Sequence, residues 1–342
     1  MSNRFSMLPE WAPQQAVLLA WPHEQTDWLP WLAAIQHDYV ELAVAIAAEV
    51  TPVILCQDAV HQQHITQQLA GRCLQAPRFV IAPYNDTWCR DYGPVTLGLD
   101  GKVQLLEFQF NGWGDKYDAG LDNKINQYIW GEWRAPLRTI QYELEGGSIE
   151  TDGQGSLLTT AHCLLDSNRN KDFTKAQVEK FVLEQLGLER MLWITEGALL
   201  GDDTDSHIDN LVRFCGPDTI AYATCSNAAD VHFEPMQKMK AQVAALRQPN
   251  GQPYQLQAIE IPAPQFDEDG KRLPGSYVNF LIVNNSVIVP VFGCAEDAAA
   301  LAGLQRCFPG KKLVSVPGSN LIKQYGGPHC ATMQLPVGTL LN

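Results

Sequence analysis

The chain predicts an α/β architecture on three observations. Strand-like and helix-like segments alternate from end to end, 46% of the 342 residues are hydrophobic, and short strand pairs joined by Gly, Asp or Asn turns recur. The recurrences fall around residues 91–106, 146–160, 207–223, 277–291 and 326–335, spaced on the order of fifty to seventy residues with helices between. Five units of roughly 68 residues each would use the chain. That period suits a ring or stacked array of supersecondary units, and a duplicated two-lobed α/β fold fits it as well.

The elements follow in order. The apolar run AVLLAW at 16–21 reads as a buried strand, and 28–50 as a helix with Ala, Ile, Leu and Val on one face. A strand at 51–56, a helix at 60–71 and a strand at 78–83 entering a loop come next. Further strands are predicted at 103–108, 139–143, 156–160, 191–194, 208–214, 220–223, 254–261, 277–283, 287–291 and 312–316. Helices are predicted at 121–130, 174–186, 235–247 and 295–307. The Pro-rich acidic stretch 262–274 reads as a surface loop. No low-complexity linker divides the chain, so 1–342 is read as one domain.

With 38 acidic against 24 basic residues the net charge is −14. This argues against nucleic acid or an anionic membrane as partner and permits a cationic substrate. Nine scattered cysteines, odd in number and without a C-x-x-C pair, have the distribution of reduced thiols in a cytoplasmic protein. The opening MSNRFSMLPEWAPQQ carries no apolar signal segment, and no run of eighteen apolar residues occurs.

Five segments carry chemistry. GDDTDSHIDNLVRF, 201–214, sets His207 and Asp209 two residues apart; on a strand both would face one side, with Ile208 on the other. A solvated strand edge is the competing reading. NDTWCRDYGP, 85–94, packs Asp86, Trp88, Arg90 and Asp91 into one loop, where a plain salt bridge or turn would also account for them. ELEGG places Glu145 before two glycines that let backbone approach closely. FNGWGDKY holds Trp113 between glycines. SNLIKQYGGPHCATMQLP puts Cys330 on a turn with polar surroundings, the best placed of the nine thiols for reactivity.

A metal pairing His207 with Asp209 lacks a further His or Cys at ligand spacing, so no metal is expected. A cysteine amidase would leave Asp91 and the acids near Asp203 without work. Attack on a guanidinium uses them all. That group is planar, permanently charged and offers five N–H donors, which paired carboxylates satisfy from two sides. Its carbon is a poor electrophile and needs a thiolate, whose ionisation the bound cation favours. A histidine then protonates the departing ammonia and activates water.

Taken in order, MLPEWAPQQAVLLAWPH, WCRDYGP, FNGWGDKY, LEGG, DTDSHIDN and GGPHC resemble the agmatine deiminase group of the guanidine-modifying (pentein) superfamily, over essentially the whole chain. The resemblance implies a pentein fold, a pseudo-fivefold α/β propeller of repeated ββαβ-type units with its active site on the central axis. It implies Cys330 as nucleophile, His207 as general acid/base, Asp91 and Asp209 as guanidinium clamps and Glu145 as the acid that orients the histidine. Trp88 and Trp113 would line the path of the aliphatic tail, and Asp203 with Asp86 would meet its terminal ammonium. The implied reaction hydrolyses agmatine to N-carbamoylputrescine and ammonia through an amidino-cysteine, without a cofactor, in a chain free to form a homo-oligomer. Deimination of free arginine, with Arg90 holding its α-carboxylate, or of peptide-bound arginine is the alternative. So is a catalytically silent guanidine- or polyamine-binding protein. Two departures from the family pattern stand out. Ser206 replaces the usual Gly before the histidine, and Tyr325-Gly-Gly-Pro-His-Cys replaces Gly-Gly-Gly-Asn/Gly-Ile-His-Cys, its Pro328 removing a backbone donor.

Overall fold

The computed structural model describes residues 4–341; of the single domain expected over 1–342, residues 1–3 and 342 lie outside the described residues. Five sheets share one plan, an antiparallel strand pair whose second strand pairs in parallel with a third. Val95–Leu99, Lys102–Gln109 and Leu137–Glu143 form one such set. Ile149–Thr151, Ser156–Thr160 and Arg190–Ile194 form the next, followed by Val212–Phe214, Thr219–Thr224 and Gln255–Glu260. Leu281–Val283, Ser286–Val291 and Lys312–Pro317 form the fourth. The fifth joins the two ends of the chain: Thr332–Pro336 runs antiparallel to Gln14–Ala20, which pairs in parallel with Thr51–Cys56 and through it with Arg78–Ile81. The fifth strand pair, expected within 326–335, is therefore shared between the termini.

Each of the six parallel steps needs a crossover, and five of them use a helix of eleven residues or more: Leu32–Ala47, Ala59–Leu69, Lys175–Leu186, Phe233–Ala245 and Glu296–Cys307. In the first, Ile35, Tyr39, Leu42, Ala43 and Ile46 are buried at i, i+4, i+7, i+8 and i+11, one stripe against the sheet. Gln14–Ala20 is covered on both faces, which is why AVLLA reads as a continuous apolar run. Lys175–Leu186 starts at a Thr174–Gln177 capping box and stops at Gly187, whose φ of 66° suits a residue without a side chain.

Four expectations are corrected. The strand expected over 208–214 is a 3₁₀ turn, Ile208–Asn210, followed by the short strand Val212–Phe214. Asp205 and Ser206 both adopt left-handed backbone just before it, a reversal that alternation of apolar residues does not encode. In the strand expected over 277–283 only Leu281–Val283 is extended in the sheet, which frees Asn279 for the loop. The helix over 121–130 breaks into Asp122–Lys124, Ile125–Tyr128 and Trp130–Glu132. The loop at 262–274 contains a small antiparallel pair, Gln265–Phe266 with Arg272–Leu273. All nine cysteines are free, and no helix among the described residues is long and apolar enough to cross a membrane.

Candidate active site

The loop that leads into the first strand of each unit carries a polar group to one place. Asp91 precedes Val95–Leu99, Glu145 and Gly147 precede Ile149–Thr151, His207 and Asp209 precede Val212–Phe214, Asn279 precedes Leu281–Val283, and Cys330 precedes Thr332–Pro336. The repeated plan brings together residues 239 positions apart, as in the bond from Arg90 Nε to the His329 carbonyl. Asp91 and Cys330 are also tied through backbone, since the Arg90 N–H donates to the Cys330 carbonyl at 3.2 Å.

The convergence point lies beside Gly147. A Cβ on that residue would stand 2.6 Å from His207 Nδ1, 2.8 Å from Asp91 Oδ1 and 3.1 Å from Asp209 Oδ2. The missing side chain leaves the space in which these three groups close on the backbone. Replacing Gly147 with alanine should therefore lower kcat/KM by roughly 100-fold through displacement of reacting groups. Thermal melting should stay within a few degrees of wild type, and an unchanged kcat/KM would show that the space is not used.

Asp91 Oδ1 accepts from the Gly147 N–H at 2.8 Å and Oδ2 from Trp113 Nε1 at 2.9 Å, which fixes the carboxylate. Trp113 reaches it from a left-handed backbone, φ 58°, flanked by Gly112 and Gly114, both also at positive φ. Asp209 Oδ2 lies 2.8 Å from His329 Nδ1 and 3.3 Å from Cys330 Sγ, while its Oδ1 is buried with no partner. His207 is fully buried, with Nδ1 3.6 Å from Asp91 Oδ1 and Nε2 4.0 Å from Glu145 Oε2, and neither ring nitrogen has a hydrogen-bond partner. Orphaned buried polar atoms are costly, and here three of them, both ring nitrogens of His207 and Asp209 Oδ1, belong to residues of this one cluster.

Electrostatics favour a cation there. Burial raises the Asp91 carboxyl to about 6; the His207 charge opposes this, and Asp209 and Glu145 add to it. Burial also pushes Asp209 up, but the hydrogen bond and charge of His329, with His207 and Arg213, leave it below the usual carboxylate range. Burial, with Asp209 and Asp91, holds the Cys330 thiol well above its ordinary value, although Asn279 Nδ2 donates to Sγ at 3.0 Å. A cation between the two acids would bring the Asp91 carboxyl and the Cys330 thiol back down.

Above this floor opens a cleft. Asp86, Trp88, Asp91, Trp113, Asp203 and Cys330 line it together with Tyr117, Thr204, Gln324, Tyr325 and Gly326, so among the described residues its walls carry three acids and no Lys or Arg. Of the residues singled out from the sequence, Asp86, Trp88, Asp91, Trp113, Asp203 and Cys330 line the cleft, and His207, Asp209 and Glu145 are buried next to them. Asp203 is partly engaged, accepting from Tyr117 Oη at 2.6 Å and lying 3.6 Å from Lys116 Nζ. Asp202 and Asp205 do other work: Asp202 accepts from the Ser206 N–H and Thr204 Oγ1, and Asp205 pairs with Arg169 and Lys116. Arg90 does not face the cleft. It is buried on the other side of its turn, bonded to the His329 carbonyl and Gln334 and 3.4 Å from Glu10, so it cannot receive a ligand carboxylate there.

Sequence reasoning missed Asn279, His329, Glu10 and Arg169. Asn279 interrupts the apolar run YVNFLIV two residues before its strand, as Cys330 precedes its own, and that shared position was the available signal. Arg169, buried, donates from Nε to Glu145 Oε1 at 2.7 Å and from Nη1 to Asp205 Oδ2 at 2.7 Å; no periodicity in SNRN announces it. The departures at 206 and 325 gain a physical meaning, because Ser206 (φ 66°) and Tyr325 (φ 67°) stand in left-handed backbone that a glycine adopts without cost. Pro328 falls just after the start of a turn closed by the Ala331 N–H on the Gly327 carbonyl, where a missing N–H is tolerated.

Residues 6–336 match the Porphyromonas-type peptidyl-arginine deiminase family. The agmatine deiminase of Stutzerimonas stutzeri (strain A1501) is 33% identical over 97% of this chain and 95% of its own length. Among solved structures, a substrate-bound variant of the C. jejuni agmatine deiminase superposes with a TM-score of 0.91 at 32% identity, covering 98% of this chain and 97% of that one. A Porphyromonas gingivalis protein provisionally assigned as an arginine deiminase gives a TM-score of 0.93 at 38% identity, covering 99% and 100%. With near full-length agreement in sequence and fold, the chain belongs to the Porphyromonas-type peptidyl-arginine deiminase family, alongside the agmatine deiminases.

Proposed function

We propose that the protein hydrolyses agmatine to N-carbamoylputrescine and ammonia, as one catalytic domain whose five units form a pseudo-fivefold propeller around the site. The carrying observation is the sign of the cleft: Asp86, Asp91 and Asp203 line it, and no basic side chain does. Agmatine bears a cation at each end, so the guanidinium fits between Asp91 and Asp209 while the ammonium meets Asp86 and Asp203. Trp88 and Trp113 enclose the methylenes between. Arginine would bring its α-carboxylate against those outer acids, at a cost of several kcal/mol.

In the proposed reaction the clamped guanidinium lowers the Cys330 thiol, whose proton passes to His207; the thiolate attacks the guanidinium carbon, and His207 gives that proton to the leaving nitrogen. Ammonia departs from an amidino-cysteine. Water then loses a proton to His207 and adds to the same carbon, and the C–S bond breaks to return the thiolate. Glu145, held by Arg169, orients the imidazole. Ammonia release from agmatine, arginine and a blocked arginine peptide tests the reading. Agmatine should lead in kcat/KM by at least about 100-fold; a lead by either arginine substrate would reassign the outer cleft, and no release at all would leave a silent binding protein.

Binding should also depend on pH. Burial raises the Asp86 carboxyl to about 7, so in the empty protein it is largely protonated below that pH. An ammonium favours the carboxylate, so affinity should be complete above about 7 and fall as pH drops through it, approaching tenfold per unit. Calorimetric titration of agmatine into the Cys330→Ala variant, which cannot turn over, reads this directly. Adding Asp86→Asn should weaken binding at high pH and flatten the step near 7. A step that survives the substitution would belong to another group.

A further inference from the structure

Behind the imidazole, Glu145, Cys163 and His207 bring a carboxylate, a thiol and a ring nitrogen together in the interior, and the reaction proposed above has no use for the thiol. Cys163 sits on the short helix Ala161–Leu164 and is fully buried. Its Sγ is 3.7 Å from Glu145 Oε2, which is 4.0 Å from His207 Nε2, and one donor atom from each residue lies within 4.8 Å of the others. A tetrahedral cation with metal–sulfur bonds of about 2.3 Å and metal–nitrogen or –oxygen bonds of about 2.0–2.1 Å holds such atoms roughly 3.3–3.7 Å apart. The three donors are therefore within side-chain adjustment of that geometry.

Two further features fit a metal. His207 Nε2 is buried and unpartnered, so a lone pair is available without breaking any bond. The outer contacts that metal ligands use are also in place: Arg169 holds Glu145 Oε1 and leaves Oε2 turned to the Cys163 thiol, and Asp91 lies 3.6 Å from the opposite ring nitrogen of His207.

The geometry points to an inhibitory site for a thiophilic divalent cation such as zinc, built from Glu145, Cys163 and His207. On binding, the Cys163 S–H bond breaks, its proton leaves to solvent, and the sulfur pair forms the metal bond. No oxidation occurs. Thiolate and carboxylate together neutralise the dication, His207 supplies a neutral nitrogen, and the fourth position remains for water. With Nε2 coordinated, His207 can no longer accept and return the proton of the reaction. This step rests on the role given to His207 above. Hard cations such as magnesium, which prefer oxygen donors, should not inhibit.

Cobalt serves as the optical probe, because a thiolate ligand adds a near-ultraviolet charge-transfer band. The band should appear in the wild-type protein and in Cys330→Ala, and vanish in Cys163→Ser and Cys163→Ala. With zinc, X-ray absorption on Cys330→Ala should show one sulfur ligand; a sulfur-free shell there overturns the site whether or not the Cys163 variants fold. In agmatine turnover, normalised to each protein's metal-free rate, the half-inhibitory zinc concentration should rise by ~100-fold in Cys163→Ser. A chelator should restore wild-type activity. A band that follows Cys330 instead would assign the metal to the nucleophile and overturn the proposal. The cobalt spectrum requires no turnover, so failure of the metal site and failure of the agmatine reading are distinguishable.

Discussion

Cys330→Ala is expected to remove ammonia release from agmatine altogether, a loss on the order of 10⁵–10⁶ in kcat, while agmatine still binds. The size of the loss follows from the chemistry, since a guanidinium carbon surrounded by three nitrogens yields to water only after a stronger nucleophile has replaced one of them. No second thiol lines the cleft to substitute. In the empty protein the Cys330 thiol is held well above its ordinary value, by burial first and then by Asp209 and Asp91. It should accordingly alkylate slowly at neutral pH. The cationic ligand reverses the sign of the local field and produces the thiolate where and when it is used. Acid quenching during turnover, followed by mass spectrometry, should find the amidino adduct on the peptide carrying Cys330. A Cys330→Ala protein that still deiminates, or an adduct on another residue, would refute the assignment.

The sequence exposed the site better than it exposed the shape that builds it. Cys330, His207, Asp209, Asp91 and Glu145 stand in turns rich in glycine or acids, and their chemistry is visible in residue type alone. What brings them together is less visible. The strand pattern over 208–214 concealed a 3₁₀ turn, because Ile208, Leu211 and Val212 are buried in either conformation and periodicity cannot separate the two. The sharing of one sheet between Gln14–Ala20 and Thr332–Pro336 is a contact across almost the whole chain, and no local preference encodes it. The supporting residues were hidden for a third reason. Arg169, Asn279 and His329 act through side-chain bonds to other polar groups, and such bonds leave no period and no composition bias. Glu10 shows the same limit: it lies in the opening segment MLPEWAP, yet it reaches 2.5 Å from His329 Nε2 and pairs with Arg213 at 2.6 Å, with both partners hundreds of residues away.

The far side of the guanidinium carries the second large expectation. Asp209→Asn preserves size and one carbonyl oxygen but deletes the charge, leaving a cation clamped by Asp91 alone. Breaking one side of a buried ion pair costs about 3–5 kcal/mol, which corresponds to two to three orders of magnitude or more in kcat/KM. A loss below tenfold would reject the clamp. General damage to the fold could also lower activity, so a second readout is needed whose sign damage would not reproduce. Asp209 helps hold the Cys330 thiol high, and Oδ2 lies 3.3 Å from the sulfur. Removing the negative charge should lower the thiol and speed its alkylation in the empty protein at neutral pH, while agmatine turnover collapses. Asp209 also holds His329 Nδ1 at 2.8 Å, and His329 in turn meets Glu10, so a neutral amide at 209 leaves that buried imidazole flanked by one carboxylate instead of two. Glu10→Gln removes the other carboxylate without touching the guanidinium. If Asp209 acted only by stabilising this inner chain, Glu10→Gln would reproduce its effect. Direct contact with substrate instead requires Asp209→Asn to cost far more than Glu10→Gln in kcat/KM, with faster alkylation of Cys330 confined to the former.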